Sequence, residues 1–166
     1  MANKTVVTVE PGKQELFITR EFDAPRELVF KAHVDPDIYV QWVGPKDLEM
    51  SIQKLDAFDG GTFEFTHKRD GHSYRFFGSY HEVLAPKRII GTFEFDGLPE
   101  RGHVIMGKTS FEELPGNRTR LVHHSVFFSV ADRDGMVQSG MERGVDDGYV
   151  KLDEVLESLN SKAQAG

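Results

Sequence analysis

The C-terminal segment, residues 129–159, most constrains the fold, because it follows roughly a hundred residues of strand and turn signals. Its apolar residues recur at three- and four-residue steps, as on one face of a helix. A single helix of about 28 residues would span about 42 Å, enough to cross a six-stranded sheet. Gly140, Gly144 and Gly148 repeat every four residues, although a glycine inside a helix costs about 1 kcal/mol relative to alanine. The repeat predicts a stripe where another segment approaches the helix closely.

Composition and charge exclude several classes of function. The chain has 166 residues, 39% of them hydrophobic and 28% charged, as in one globular domain with a full core. A net charge of −7 without a Lys/Arg cluster argues against nucleic acid and anionic membranes as partners. Cysteine is absent from the sequence, which excludes disulfides and thiolate metal sites. Neither a signal-peptide pattern nor a membrane-length apolar run is present, so we expect a cytoplasmic protein without membrane insertion.

Alternating strand and turn signals fill the middle of the chain. The predicted strands cover residues 16–22, 48–55, 62–67, 73–84, 88–95, 103–113 and 119–128. Two short helices are expected after the first strand, with Asp23 as an N-cap and a stop or bend at Asp35-Pro36. The final helix should start at Ser129, which has capping-box spacing to Asp132.

These elements predict an α+β fold. We expect a curved antiparallel sheet of about six or seven strands wrapped around the long C-terminal helix. Residues 1–12 would be a tail or an edge segment, and residues 13–162 would form the single domain.

Four segments resemble one known superfamily. They are Arg-Glu-Phe-Asp-Ala-Pro-Arg-Glu-Leu-Val-Phe at 20–30, Gln-Trp-Val-Gly-Pro at 41–45, Gly-Ser-Tyr-His-Glu-Val at 78–83 with Pro-Lys-Arg-Ile at 86–89, and Ser-Gly-Met-Glu-Arg-Gly at 139–144 followed by Tyr149 and Leu152. The chain resembles the START-like helix-grip superfamily, often labelled SRPBCC, and its bacterial branch homologous to activators of the Hsp90 chaperone ATPase. Val43 departs from this pattern, since an aromatic residue usually precedes Gly-Pro. The resemblance implies the helix-grip fold and a ligand carrier, a cyclase-like enzyme or a co-chaperone.

The seven histidines are the first candidates for chemistry. His123 and His124 are adjacent in a strand, so their side chains point to opposite faces and cannot bind one ion together. His67 and His123 share strand parity with apolar neighbours, so their side chains are expected to point inward. Each is then either a polar anchor for a ligand or a hydrogen-bonded core residue. We predict no metal site, because the sequence has no Cys pair and no His-x-x-x-His motif.

A covalent mechanism is not predicted either. The sequence lacks a Gly-x-Ser-x-Gly nucleophile elbow and a glycine-rich phosphate loop, so we assign no catalytic residue and no cofactor.

The remaining candidates form an apolar set with inward parity. The predicted ligand-binding residues are Trp42, Phe63, Phe65, Tyr80, Phe93, Ile105, Phe111, Leu121, His123, Met141 and Tyr149. The strand at 73–84 is ambiguous, because Tyr74, Phe76 and Tyr80 compete with Phe77 and Val83 for the inner face. Gly78 is a candidate bulge that would switch the two faces.

Three hypotheses on function follow. The leading one is binding of a small hydrophobic or aromatic molecule, lipid-like or polyketide-like, in a cavity between sheet and helix. The first alternative is a cyclase- or lyase-type enzyme that moves a proton with a cavity His or Tyr. The second is a co-chaperone-like interaction domain with a chaperone as partner, as the resemblance suggests. A homodimer through an edge strand or the helix face is left open by the sequence.

Overall fold

The computed structural model describes residues 3–165. Within them, one antiparallel sheet contains eight strands in the order β1-β2-β8-β7-β6-β5-β4-β3. The strands are β1 (Val6–Thr8), β2 (Glu15–Phe22), β3 (Glu49–Leu55), β4 (Thr62–Arg69), β5 (His72–Leu84), β6 (Arg88–Phe95), β7 (Ile105–Leu114) and β8 (Arg118–Val126). The helices are α1 (Arg26–Val34), α2 (Pro36–Tyr39), α3 (Val130–Gln138) and α4 (Met141–Ala165). This architecture confirms the predicted α+β helix-grip fold.

The sheet has one strand more than the six or seven expected. The extra strand is β1, which lies at the edge and pairs with β2 so that Val7 faces Ile18. The predicted strands otherwise appear with ends shifted by one or two residues, and β6 has the predicted bounds.

The first helix starts differently from the prediction. Pro25 occupies the N-cap position of α1 without a side-chain cap, so the assignment of Asp23 as N-cap is wrong. The Asp23 carboxylate instead accepts a hydrogen bond from Arg118 Nε at 2.8 Å, a charged interaction that outcompetes a cap. The stop at Asp35-Pro36 is confirmed, because Asp35 caps α2 by accepting from the Asp37 N–H at 2.9 Å.

The C-terminal segment is two helices and not one, so the prediction of a single helix is wrong. Ser129 caps α3 as expected, with its Oγ accepting from the Asp132 N–H at 3.0 Å. The helix then ends at Ser139-Gly140, where Gly140 has φ +86°. Glycine adopts this left-handed conformation without the steric cost that other residues have. The 25 residues of α4 span about 37 Å.

The close approach that the glycine repeat predicts is found at two of the three glycines, Gly144 and Gly148. A Cβ on Gly148 would stand 2.9 Å from the Trp42 carbonyl oxygen, and one on Gly144 would stand 3.3 Å from Pro45 Cγ. A Cβ on Gly140 would meet no atom within 4 Å. The segment that approaches α4 is thus the turn at 42–45, and it seals one side of the space under the sheet.

The ambiguity of β5 is resolved by a bulge at His81, where the register with β6 shifts between Tyr80 and Glu82. Tyr74, Phe76 and Tyr80 face inward before the bulge, and Val83 packs against the core after it. The hypothesis of a bulge at Gly78 is wrong. Gly78 stays in register opposite Phe63, whose ring lies so close that a Cβ on Gly78 would stand 2.7 Å from Cε1.

The tightest part of the core lies where α1 and α4 meet β2 and β8. Phe22, Val29, Leu121 and Leu152 are fully buried there. Arg20 is also buried and binds Asp153 of α4 through two hydrogen bonds of 2.7 and 2.6 Å. This ion pair joins the helix to the sheet beside the apolar core.

Candidate functional site

A cavity of about 730 Å³ lies between the inner face of the sheet and the N-terminal half of α4. The turn at 42–45 and α2 close it on one side, and α3 borders the other end. Folded interiors are close-packed with few voids larger than a water molecule, whereas ligand sites span roughly 300–1,000 Å³. The size of this space is therefore that of a ligand site.

Phenylalanine rings form one wall of the cavity. Phe76 is central, with ring centroids 5.2 Å from Phe65 and 5.5 Å from Phe93 in stacked geometry. Phe63 lies 6.3 Å from Phe93 and extends the wall. These rings come from β4, β5 and β6, because alternate residues of neighbouring strands share one face of the sheet. The wall offers a broad apolar surface to a flat molecule.

Most of the sequence-predicted site residues line this cavity. They are Trp42, Phe63, Phe65, Tyr80, Phe93, Ile105, His123, Met141 and Tyr149. That they bind a ligand stays a prediction, since the structure gives their positions alone.

Phe111 and Leu121 do not line the cavity, which corrects their assignment. Both are buried in the core, where Phe111 packs edge-on against Phe30 of α1 at 5.2 Å. They face inward as their strand parity predicts, but α1 covers this part of the sheet and leaves no space above it.

Sequence reasoning missed several lining residues. His33, Tyr39, Thr109 and Ser125 contribute to the wall. Thr109 and Ser125 share the parity of Ile105 and His123, so strand alternation alone would have found them. His33 and Tyr39 lie on α1 and α2, whose orientation over the sheet no sequence pattern specifies.

His123 is the polar centre of the β7–β8 wall. Its Nδ1 lies 2.7 Å from Thr109 Oγ1 and its Nε2 lies 2.9 Å from Ser125 Oγ. Burial lowers the pKa of His123 to about 4, so the ring is neutral at physiological pH. Both ring nitrogens are engaged by hydroxyl groups of the protein, so His123 contributes no unpaired nitrogen to the cavity.

His124, its neighbour, faces outward as predicted. Its ring stacks on Phe17 at 4.3 Å and its Nε2 lies 2.7 Å from Glu15 Oε2.

His33 also contacts the cavity as a neutral ring. Its Nδ1 lies 2.8 Å from the Val29 carbonyl oxygen, and its ring meets Trp42 and Phe111 edge-on at 4.8 and 5.0 Å. Burial lowers the pKa of His33 to about 4. A buried imidazole therefore sits between two aromatic side chains, with one nitrogen fixed on its own helix.

His67 lies beneath the turn at 42–45. It is 5% exposed, and its Nε2 is buried without a hydrogen-bond partner in the described part of the chain. Burial and then the nearby positive charge of Lys151 lower the pKa of His67, while its hydrogen bond to the Val43 backbone raises the pKa in part. Gly44, at φ +88°, leaves room for this ring, since a Cβ there would stand 2.7 Å from Nε2.

Three tyrosines from three elements add neutral hydroxyls to the cavity. They are Tyr39 of α2, Tyr80 of β5 and Tyr149 of α4. Burial raises the pKa of Tyr39 to about 12 and raises the pKa values of Tyr80 and Tyr149 as well. The phenols therefore stay protonated and act as hydrogen-bond donors or acceptors.

Charged lining residues lie at the exposed rim. Arg69 Nη1 binds Asp47 Oδ2 at 2.6 Å, with side chains 51% and 40% exposed, and Arg143 is 71% exposed. The hydrogen bond from Arg69 lowers the pKa of Asp47. The interior thus combines aromatic surface with neutral polar groups, and charge is confined to the opening.

Among residues 3–165, no group of three His, Asp or Glu side chains is placed to hold a metal ion. None of the described helices is long and apolar enough to cross a membrane.

Solved bacterial structures share the fold. A Mycobacterium smegmatis protein has 21% identity and a TM-score of 0.82, with 92% of this chain and 97% of that one covered. A solution structure from Arthrobacter aurescens has 24% identity and a TM-score of 0.83, with 92% and 91% covered. The AHSA1 protein of Silicibacter pomeroyi has 23% identity and a TM-score of 0.71, with 86% and 97% covered.

The family assignment comes from the sequence itself. A search of curated proteins gives no match. Residues 23–157, most of the chain, match the family described as Activator of Hsp90 ATPase homolog 1-like protein. The chain belongs to this family and so to the SRPBCC superfamily that the four sequence segments indicated.

Proposed function

We propose that this protein binds a small apolar or aromatic molecule in the cavity between the sheet and α4. The observation that carries the proposal is a space of about 730 Å³ with an aromatic wall. The family fold, in which a sheet grips a helix, supports the same role.

The shape of the wall favours rings over a single extended chain. Phe65, Phe76 and Phe93 present neighbouring stacked faces, and aromatic rings pack favourably against such surfaces. We therefore place polyketide-like fused rings before lipid-like chains as ligand chemistry.

The test is a titration of isotope-labelled protein followed by amide and indole NMR. The probes are naphthalene, a long-chain fatty acid, a sterol and a fused-ring polyketide mimic. The Trp42 indole is the reporter, because it lines the cavity and donates to the Ala32 carbonyl at 2.9 Å. Saturable shifts at Trp42 and along 141–149 are expected for at least one probe. Absence of shifts with every probe would refute the proposal.

A matched pair of variants on α4 localises the binding. Met141→Ala removes a lining side chain, whereas Glu154→Ala changes an exposed residue of the same helix. We expect Met141→Ala to weaken affinity by roughly tenfold, from lost apolar contact, and Glu154→Ala to leave it unchanged. Equal effects of the two changes would place the ligand elsewhere.

The family description favours a second candidate, interaction with a chaperone ATPase. The proposal is tested by adding the purified protein to a bacterial chaperone of the Hsp90 class and measuring ATP hydrolysis. Stimulation that rises and saturates with the added protein would support it, and an unchanged rate would remove it.

The cyclase- or lyase-type alternative has no comparable support. Its most direct candidate base, His123, has both ring nitrogens bonded to hydroxyl groups. It remains a hypothesis for His67, and retained turnover of an identified substrate in His67→Ala would exclude it.

A further inference from the structure

The hydrogen bond of His33 fixes where the proton sits on its ring. Nδ1 lies 2.8 Å from the Val29 carbonyl oxygen, and a carbonyl oxygen can only accept. Nδ1 must therefore carry the hydrogen. A neutral imidazole has one N–H, and burial keeps this ring neutral by lowering its pKa to about 4. Nε2 is consequently a lone-pair acceptor.

That acceptor opens into the cavity. Nε2 of His33 has no hydrogen-bond partner among the described residues. It nevertheless keeps some accessible surface. The ring lies in the interior against Trp42 and Phe111, and His33 lines the cavity. Because the ring is packed against these two side chains and the residue lines the cavity, we infer that the open side of Nε2 faces this space.

The rest of the interior wall fits an uncharged guest. The hydroxyls of Tyr39, Tyr80 and Tyr149 make no hydrogen bond to another described residue, and these side chains reach the cavity from different sides. Both cationic lining residues, Arg69 and Arg143, lie at the exposed rim. A carboxylate deep in the cavity would lose its hydration without a cation to replace it, which is costly.

We propose that the cavity selects a neutral ring compound bearing a hydroxyl group, whose O–H donates to Nε2 of His33. This inference rests on the proposed ligand-binding function and specifies its ligand class. His33 acts as the specificity-determining residue, and the tyrosine hydroxyls accommodate further oxygen atoms of the guest. Anionic lipids are excluded from the interior because no cationic side chain of the described residues lies there.

The experiment compares four probes that share one ring system near neutral pH. These are 2-naphthol, 2-methoxynaphthalene, naphthalene and 2-naphthoate, with affinities measured by NMR titration. We expect 2-naphthol to bind roughly tenfold more tightly than 2-methoxynaphthalene, because only the former can donate to a buried acceptor. 2-Naphthoate should bind most weakly.

Two histidine variants identify the acceptor. His33→Phe keeps an aromatic ring and removes the acceptor, so the ratio of 2-methoxynaphthalene to 2-naphthol dissociation constants should fall to about one. His124→Phe is the matched control, because this histidine lies on the outer face of the sheet. In His124→Phe the ratio of the two dissociation constants should equal that of the unmodified protein.

A measurement on the unmodified protein tests the same acceptor even if His33→Phe does not fold. Imidazole ¹⁵N spectra should show Nε2 of His33 unprotonated, and its signal should move when 2-naphthol binds while that of His124 stays. A side chain with a purely structural role would not give this shift.

The outcomes separate the two proposals. Binding of the probes without preference for 2-naphthol, a preference retained in His33→Phe, or tightest binding of 2-naphthoate would overturn the role of His33 and leave ligand binding intact. Absence of binding by all four probes would overturn the inference on His33, and the proposed function would fail as well if the fatty acid, the sterol and the polyketide mimic also gave no shifts.

Discussion

Breaking the ion pair between Arg20 of β2 and Asp153 of α4 by removing one partner should strongly destabilise the fold. Arg20 is 1% exposed, and its guanidinium binds Asp153 through two hydrogen bonds of 2.7 and 2.6 Å. Asp153→Asn removes the charge at nearly constant volume and leaves a buried cation without its counter-ion. The pair Arg69–Asp47 is a matched control, since it has the same 2.6 Å separation but exposed side chains.

The expected magnitude follows from burial. Removal of one partner from a buried pair costs about 3–5 kcal/mol. We expect the lower end, about 3 kcal/mol, because Asp153 is itself 37% exposed and water can partly replace it. Asp47→Asn should cost much less, because ion pairs between exposed side chains contribute little to stability.

The assay is urea unfolding followed by circular dichroism, with thermal unfolding as a second measure. About 3 kcal/mol corresponds to a Tm lowered by about 6–12 °C in a chain of this size. Higher salt should reduce the effect of Asp47→Asn while leaving that of Asp153→Asn largely unchanged, because buried pairs are screened less. Equal losses in the two variants would refute the argument that burial decides the value of these pairs.

Three further predictions concern the cavity and the segment that seals it. Since burial lowers the pKa values of His33 and His123 from 6.5 to about 4, the unfolded chain binds more protons between these values. The free energy of unfolding should then fall as the pH drops across this interval, by about 3 kcal/mol for each histidine; a flat urea-unfolding profile would contradict this. Gly148→Ala, with a Cβ 2.9 Å from a backbone oxygen, should lose about 1–3 kcal/mol. Gly135→Ala in α3, where a Cβ would meet no atom within 4 Å, should instead gain up to about 1 kcal/mol; similar Tm shifts in the two variants would exclude the close approach at Gly148. Val145→Phe should partly fill the cavity, raise the Tm and abolish probe binding in the NMR titration; unaltered affinity would place the ligand elsewhere.

Local periodicity determined much of the fold. Alternation along residues 62–67 placed Phe63, Phe65 and His67 on the inner face, because successive side chains of a strand point to opposite sides. The cap at Ser129 was likewise readable, since its hydrogen bond to the Asp132 N–H spans only three residues. The four motif segments indicated the helix-grip fold before any tertiary contact was known.

Backbone irregularities were not readable in the same way. The break at Gly140 interrupts a helical side-chain pattern that continues on both sides. The competing parities along residues 73–84 indicated a switch of faces, but not its position at His81. A glycine every four residues fits a stripe in one helix as well as a break between two helices. The structure contains both: Gly140 separates α3 from α4 at φ +86°, and Gly144 and Gly148 lie against the turn at 42–45, about a hundred residues away in the chain.

The cavity itself depends on tertiary packing. Phe93 and Phe111 both have inward parity, but Phe93 borders open space while Phe111 is covered by α1. His33 became a site residue only because α1 brings it beside Trp42. Inward orientation is set by the local backbone, so the sequence determined it. The cavity is the volume left between elements that are distant in the chain. Only the packing of these elements decided which inward side chains line it.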